Sequence, residues 1–87
     1  MIYSHVKADG RIETIESEKP LGLPELQRLV GGFIEFTTAP DLTVLCVNEE
    51  GLLKGLPRNA RYNWLRGDVV EGRYMSGADG VVFVGLL

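Results

Sequence analysis

The chain has 87 residues, of which 45% are hydrophobic and 24% charged, and its formal net charge is −3. This length and composition predict one small domain over residues 1–87 and exclude a chain that is disordered throughout. The mildly acidic balance disfavours a protein that coats DNA or RNA without sequence preference, and a single cysteine cannot form an intrachain disulfide. With no signal-peptide pattern and no apolar run near the ~20 residues of a membrane span, we expect a soluble cytoplasmic protein without a membrane partner.

The first predicted elements form a β-hairpin with one wet face. Residues 2–8 and 11–16 lie on either side of Asp9-Gly10, a dipeptide typical of tight hairpin turns. The single histidine, His5, falls on the first strand. We expect its side chain to be exposed, because a metal site normally recruits several ligands and this chain offers one histidine and one cysteine.

One short helix is predicted over residues 23–30. Leu26, Leu29 and Val30 share one face at helical spacing, and the second residue of the segment is a proline, which suits the first turn of a helix. Gly31-Gly32 is expected to end the helix, since glycine accepts the left-handed conformation of a C-terminal cap.

Two further strands are predicted at residues 33–38 and 42–47. The second is apolar on both faces, which favours an interior position in a sheet. Its Cys46 is expected to be a small buried hydrophobe.

The segment 48–59 follows this strand and combines polar ends with an apolar middle. Asn48 to Gly51 is expected to form a turn, and Lys54, Arg58 and Asn59 are expected to face outward. The leucines of the middle are expected to fasten the segment to the core; they are Leu52, Leu53 and Leu56.

The last third of the chain predicts a return to the sheet. Residues 60–66 fit either a helical turn or an irregular loop. Strands are predicted at 69–75, where Gly72 indicates a bulge, and at 81–86, with a turn at 77–80 between them.

Together these elements predict an α+β fold, with a mainly antiparallel sheet and the short helix packed on one face. The last strand is apolar and carries no charged residue to protect it. If it lies at an edge of the sheet, it predicts a homodimer formed by strand pairing.

The candidate binding residues lie mostly in the basic segment 54–66, which contains no acidic residue. Its cations alternate with aromatic residues, a combination that holds phosphates and stacked bases and is also enriched at protein–protein hot spots. Glutamates and an asparagine from the preceding strands and turn complete the candidate set. The set is Glu35, Asn48, Glu49, Lys54, Arg58, Asn59, Arg61, Tyr62 and Trp64.

Several chemistries are not predicted. The glycine pairs lack the spacing of a phosphate-binding loop. No nucleophile has a neighbouring base, and no metal-ligand spacing is present. We therefore predict no enzymatic activity, no catalytic residues, no cofactor and no metal.

Three blocks of the sequence resemble a known family: Leu26-Gln27-x-Leu29-Val30-Gly31-Gly32-x-Ile34-Glu35, Val47-Asn48-Glu49-Glu50-Gly51-x-Leu53-x-Gly55-Leu56-Pro57-x-Asn59, and Gly67-Asp68-Val69-Val70-x-Gly72. The chain is similar to small uncharacterised proteins that are common in tailed phages, plasmids and some bacteria and are catalogued as a domain of unknown function. The resemblance covers residues 1–85. It implies an accessory protein of a phage or mobile element that acts inside a bacterial cell, and it implies no catalytic residue.

The first functional hypothesis is a non-enzymatic interaction module that acts on a host protein. A second is a binder of a nucleotide-like small molecule, a sponge for a host signal, with its site around segment 48–59. A third is a nucleic-acid-binding module that uses residues 54–66, and the overall acidity disfavours it.

Overall fold

A computed structural model, which describes residues 1–72, 74–76 and 82–84, shows a five-stranded antiparallel sheet with one helix packed on it. The predicted α+β fold is confirmed. The sheet has the order β2-β1-β5-β4-β3, and two further strands, β6 and β7, pair with each other. The elements are β1 (Ile2–Val6), β2 (Ile12–Glu16), α1 (Leu23–Val30), β3 (Ile34–Thr38), β4 (Val44–Asn48), β5 (Val69–Gly72), β6 (Tyr74–Ser76) and β7 (Val82–Val84).

The helix α1 occupies the predicted residues and covers one face of the sheet. Leu26 and Val30 are its buried residues, and they pack in a cluster with Tyr3, Cys46 and Val70 from β1, β4 and β5. The helix ends at Gly31, whose φ of 82° is left-handed and whose N–H donates to the Gln27 carbonyl at 2.8 Å. No helix in the described part of the chain is long and apolar enough to cross a membrane.

The opposite face of the sheet is covered by residues 49–68, which we call the crossing loop. Tyr62 and Leu65 of this loop pack against a second buried cluster that includes Val6, Leu45 and Val69. The loop runs through turns and bends, so of the two alternatives for residues 60–66 the irregular loop is observed. The sheet therefore has cover on both faces, and the strand of this sheet with the most exposed residues is β2, where four of five residues are exposed.

Gly72 does not mark a bulge, contrary to the prediction. It continues the regular pairing of β4 with β5 opposite Val44. The ring of Tyr3 lies directly over it, because a Cβ built on Gly72 would stand 2.4 Å from the Tyr3 Cδ1 atom. Glycine is needed here for a close approach between a backbone and an aromatic ring.

Other predicted boundaries differ from the observed ones. The strand predicted at 69–75 is divided into β5 and β6. The strand predicted from residue 42 begins at Val44, because Leu42 lies in a turn with a left-handed φ of 72°. Val82–Val84 is a strand as predicted, whereas the predicted turn at 77–80 and the outer residues of the last strand lie outside the described residues.

Candidate functional site

The crossing loop is attached to the helix side of the molecule through Asn48, the last residue of β4. The buried Asn48 side chain donates from Nδ2 to the Val30 carbonyl at 3.0 Å and accepts the Glu50 N–H on Oδ1 at 2.8 Å. A Cβ on Gly32 would lie 3.0 Å from the same Nδ2 atom. The Gly-Gly and Asn-Glu-Glu-Gly blocks of the sequence thus meet in space, and together they join the end of α1 to the start of the loop.

A second asparagine, Asn59, fastens the middle of the crossing loop. Its side chain was predicted to face outward, but the residue is 0% exposed. The Nδ2 group donates to the carbonyls of Val6 at 3.2 Å and Gly67 at 3.0 Å, and it lies 3.4 Å from the Lys7 carbonyl. The Oδ1 atom accepts the backbone N–H groups of Arg61 and Tyr62, each at 2.9 Å. The prediction was wrong because an asparagine that satisfies five backbone groups is more stable inside than in water.

The C-terminal end of the crossing loop is held by Asp68. This carboxylate accepts the Ala8 N–H on Oδ1 at 3.0 Å, and its Oδ2 atom lies 2.8 Å from His5 Nε2. His5 is therefore buried rather than exposed as predicted. A residue on an alternating strand gives no sign of a partner so distant in the sequence, so the pairing could not be read from the chain.

Tyr62 ties the outer part of the loop to the central strand. Its hydroxyl donates to the Glu71 carboxylate of β5. Burial and this carboxylate raise the pKa of Tyr62 to about 12, because both disfavour the phenolate. The Tyr62 ring also meets Trp64 edge to face, with 5.5 Å between ring centroids and 82° between ring planes.

Three large apolar side chains of this anchored loop face solvent. Leu52 is 74% exposed, Leu53 is 86% exposed and Trp64 is 52% exposed. Leu52 and Leu53 were predicted to pack on the core, and that prediction was wrong. The loop is already held by the hydrogen bonds of Asn48 and Asn59 and by Tyr62 and Leu65, so its leucines are not required as anchors; Leu56 alone of the three is partly buried.

A groove of about 190 Å³ runs between the crossing loop and β3. Glu35 and Thr37 project into it from the loop-facing side of β3, and the turn after β4 contributes Glu49. The loop closes the other side, and the side chains that give the groove its chemical character are Glu35, Thr37, Glu49, Leu52, Trp64 and Arg66.

The candidate residues predicted from the sequence divide into two groups. Glu35, Asn48, Glu49 and Trp64 line the groove, although Asn48 is buried and serves mainly to shape the turn. The others do not line it. They are Lys54, Arg58, Asn59, Arg61 and Tyr62, and a binding role for each remains a prediction.

Two basic residues of the loop are neighbours, because Arg58 and Arg66 face each other in an isolated antiparallel bridge. Lys54 has its Nζ atom 3.9 Å from the Glu50 carboxylate, and Arg58 and Arg61 are exposed. Arg66 directs its Nη1 atom to the Leu56 carbonyl at 3.5 Å. Residues 54–66 contain no acidic residue in the sequence, but in the folded chain two carboxylates from outside the segment lie beside it. Glu50 lies near Lys54, and Glu71 accepts the hydrogen bond of Tyr62.

Sequence reasoning missed Leu52, Thr37 and Arg66 as groove residues. Leu52 did carry a signal, since two adjacent leucines in a glycine-rich turn cannot both reach one core. For metal ions, residues 1–72 and the short described strands beyond them contain no group of three or more His, Cys, Asp or Glu side chains arranged to bind one.

Comparison with known proteins identifies one family. A family model described as a domain of unknown function, DUF3846, matches residues 2–86. No curated protein and no solved structure matches the chain.

Proposed function

The chain belongs to the DUF3846 family, a domain of unknown function, and from the geometry of its site we propose that it is a non-enzymatic module that binds another protein through the crossing loop. The observation that carries the proposal is the exposure of Leu52, Leu53 and Trp64 on a loop that buried hydrogen bonds hold in place.

The energetics of binding support this proposal. Burying large apolar side chains is the main favourable term in protein association, and tryptophan is among the residues most enriched at interface hot spots. A loop that is already ordered loses little conformational entropy when a partner binds. The crossing loop has both properties: it is already ordered, and it exposes Leu52, Leu53 and Trp64 for burial against a partner.

The geometry favours a protein partner over the two alternative ligands. The groove that the candidate residues line has a volume of about 190 Å³, smaller than the ~300–1,000 Å³ of most sites that enclose a small molecule. Two larger pockets, of about 460 and 450 Å³, lie beside Met1 and beside Asp9, and none of the candidate binding residues lines them. For nucleic acid, the carboxylates of Glu50 and Glu71 approach the basic segment and weaken its positive charge, although Arg58 and Arg66 are neighbours.

The proposed setting is the cytoplasm of a bacterial cell, with a host protein as the partner of a phage or mobile-element accessory protein. The similarity of the Gly-Gly-x-Ile-Glu and Asn-Glu-Glu-Gly blocks to such proteins supports it. Pairing of two copies through an edge strand remains a separate proposal.

Capture from a bacterial lysate with tagged protein tests the proposal. Leu52→Glu combined with Trp64→Ala should abolish the capture of any protein that the wild type retains, because both changes remove apolar area from the loop surface. The matched control is Leu42→Glu, which alters a leucine that is 80% exposed at the opposite end of the β3–β4 hairpin. Reproducible wild-type capture that the double substitution leaves intact would contradict the proposal, as would a wild type that retains no protein.

A further inference from the structure

We infer that the groove between β3 and the crossing loop holds an arginine or lysine side chain from an extended peptide segment of the partner. The inference rests on the proposed function and adds the chemistry of the partner. It comes from the charges of the groove, its size and its one aromatic wall.

Two carboxylates set the charge of the groove. Glu35 pairs across the ladder with Val47. Glu49 lies in the turn after β4, two residues beyond Val47, and its N–H donates to the Phe33 carbonyl at 2.8 Å, which extends the pairing with β3 by one step. Diagonal neighbours in a sheet stand ~7–8 Å apart, so the two charges repel each other. Both side chains are exposed, and neither forms an ion pair with any residue in the part of the chain that the structure describes. A cation between them would relieve the repulsion.

The one cation of the groove does not neutralise these carboxylates. Arg66 lines the groove with its stem, since its Cβ atom is the nearest neighbour of a Cβ built on Gly51, at 3.0 Å. Its guanidinium turns to the Leu56 carbonyl, 3.5 Å from Nη1, and Leu56 is not part of the groove. Glu35 and Glu49 are therefore available to an incoming positive charge.

The remaining walls fit the long side chain of a basic residue. Trp64 is half exposed, and its ring meets the Tyr62 ring edge to face. An indole face attracts a guanidinium or ammonium group, while Leu52 offers apolar surface to the methylene stem. A volume of about 190 Å³ suits one side chain of a larger partner rather than a whole small ligand.

Trp64 is the single tryptophan of the chain, so its fluorescence reports directly on the groove. The probe is the peptide acetyl-Gly-Leu-Arg-Leu-Gly-amide, compared with the same peptide carrying neutral citrulline in place of arginine. We expect the arginine peptide to change the Trp64 emission with an affinity about fivefold or more above that of the citrulline peptide at low salt, since two exposed ion pairs differ between them. The difference should shrink as salt is added.

Glu35→Gln combined with Glu49→Gln should remove the preference for arginine without unfolding the protein, because both side chains are exposed and glutamine has the same shape. The matched control is Glu16→Gln combined with Glu18→Gln, two exposed glutamates near β2, and it should keep the preference. Equal binding of the two peptides, or no arginine-dependent signal up to about 10 mM, would overturn the inference. Equal affinity for acetyl-arginine-amide would also overturn it, because a free guanidinium compound would then be the better ligand.

This result is separable from the test of the proposed function. If lysate capture depends on Leu52 and Trp64 but is unchanged in the Glu35 and Glu49 double variant, the loop binds a protein but the groove does not bind a basic side chain of that protein. If the wild type captures nothing, the proposed function itself fails.

Discussion

Asn59 shows how much structure one side chain can organise in a domain this small. Its amide contacts the end of β1 and both arms of the crossing loop through carbonyls and N–H groups that would otherwise be buried without partners. Its contribution is mostly the avoidance of these unsatisfied groups, since an ordinary hydrogen bond adds little net stability while an orphaned polar group costs ~1–3 kcal/mol.

Asn59→Ala is therefore expected to lower the free energy of unfolding by about 3 kcal/mol, since several backbone groups lose their partner at once. Asn63→Ala is the control in the same loop, where the asparagine is exposed, and it should change stability by less than ~0.5 kcal/mol. Urea denaturation of the two variants measures both values. Equal stabilities would show that water replaces the Asn59 amide without cost.

At the scale of elements, α1 depends on the sheet for its stability. An eight-residue helix is too short to persist alone in water. Leu26 supplies its deepest contact, at 1% exposure, while Leu23 in the first turn is 53% exposed.

Leu26→Ala should accordingly destabilise the protein by about 2–5 kcal/mol, the range for leucines truncated inside a core. Leu23→Ala removes the same atoms from a site that is already half solvated, so a much smaller loss is expected. Thermal unfolding followed by circular dichroism compares the two. A larger effect at Leu23 would mean that α1 packs on the sheet through a different face.

The crossing loop is the second element that the sheet supports, and it explains why two sequence blocks accompany each other. Gly31-Gly32 and Asn48 to Gly51 form one corner, in which the Asn48 amide bridges the helix end and the turn. These blocks are therefore primarily architectural, and the candidate binding chemistry lies beside them in Glu35, Glu49 and Trp64.

At the scale of the whole molecule, the burial of a thiol and two tyrosines makes the free energy of unfolding depend on pH in the alkaline range. Burial raises the pKa of the Cys46 thiol to about 12 from 9.0, and desolvation also raises the pKa of Tyr3; Tyr62 behaves in the same way. Each group is favoured in its neutral form by folding, so unfolding releases protons at high pH. The contribution of each is complete below its unfolded pKa and is lost as pH rises through the folded value.

We therefore expect the free energy of unfolding to fall steadily above about pH 9. In Cys46→Ala the decline between about pH 9 and 10 should be shallower, because the group with the lowest unfolded pKa is gone. Denaturant unfolding at several pH values measures each slope within one protein, so the cavity left by the substitution does not affect the comparison. A Cys46→Ala slope equal to that of the wild type would contradict this account.

Local patterns sufficed for much of the fold. The helix at 23–30 follows from its apolar spacing, its proline and its glycine cap, and the hairpin from Asp9-Gly10. The course of residues 49–68 could not be predicted, because it depends on contacts such as Asn59 with Val6 and Asp68 with His5 that join distant parts of the chain.

The candidate site was predictable in part for the same reason. Glu35 and Glu49 were named as candidate residues from the sequence, and both line the groove. The exposure of Leu52 and the burial of Asn59 reverse what their residue types suggest. Both reversals occur in a loop that side-chain hydrogen bonds hold in place together with the packing of Tyr62 and Leu65.

The position of β5 at the centre of the sheet has a consequence for how the chain folds. The β1–β2 and β3–β4 hairpins are each local in sequence and can form early, since short loops close at little entropic cost. Val69 lies between Val6 and Val47, so neither hairpin gains its inner neighbour until the crossing loop has brought β5 between them. During synthesis on a ribosome, the inner edges of β1 and β4 therefore lack their partner strand until the residues after 68 emerge, and we expect the completion of the sheet to be a late step in folding.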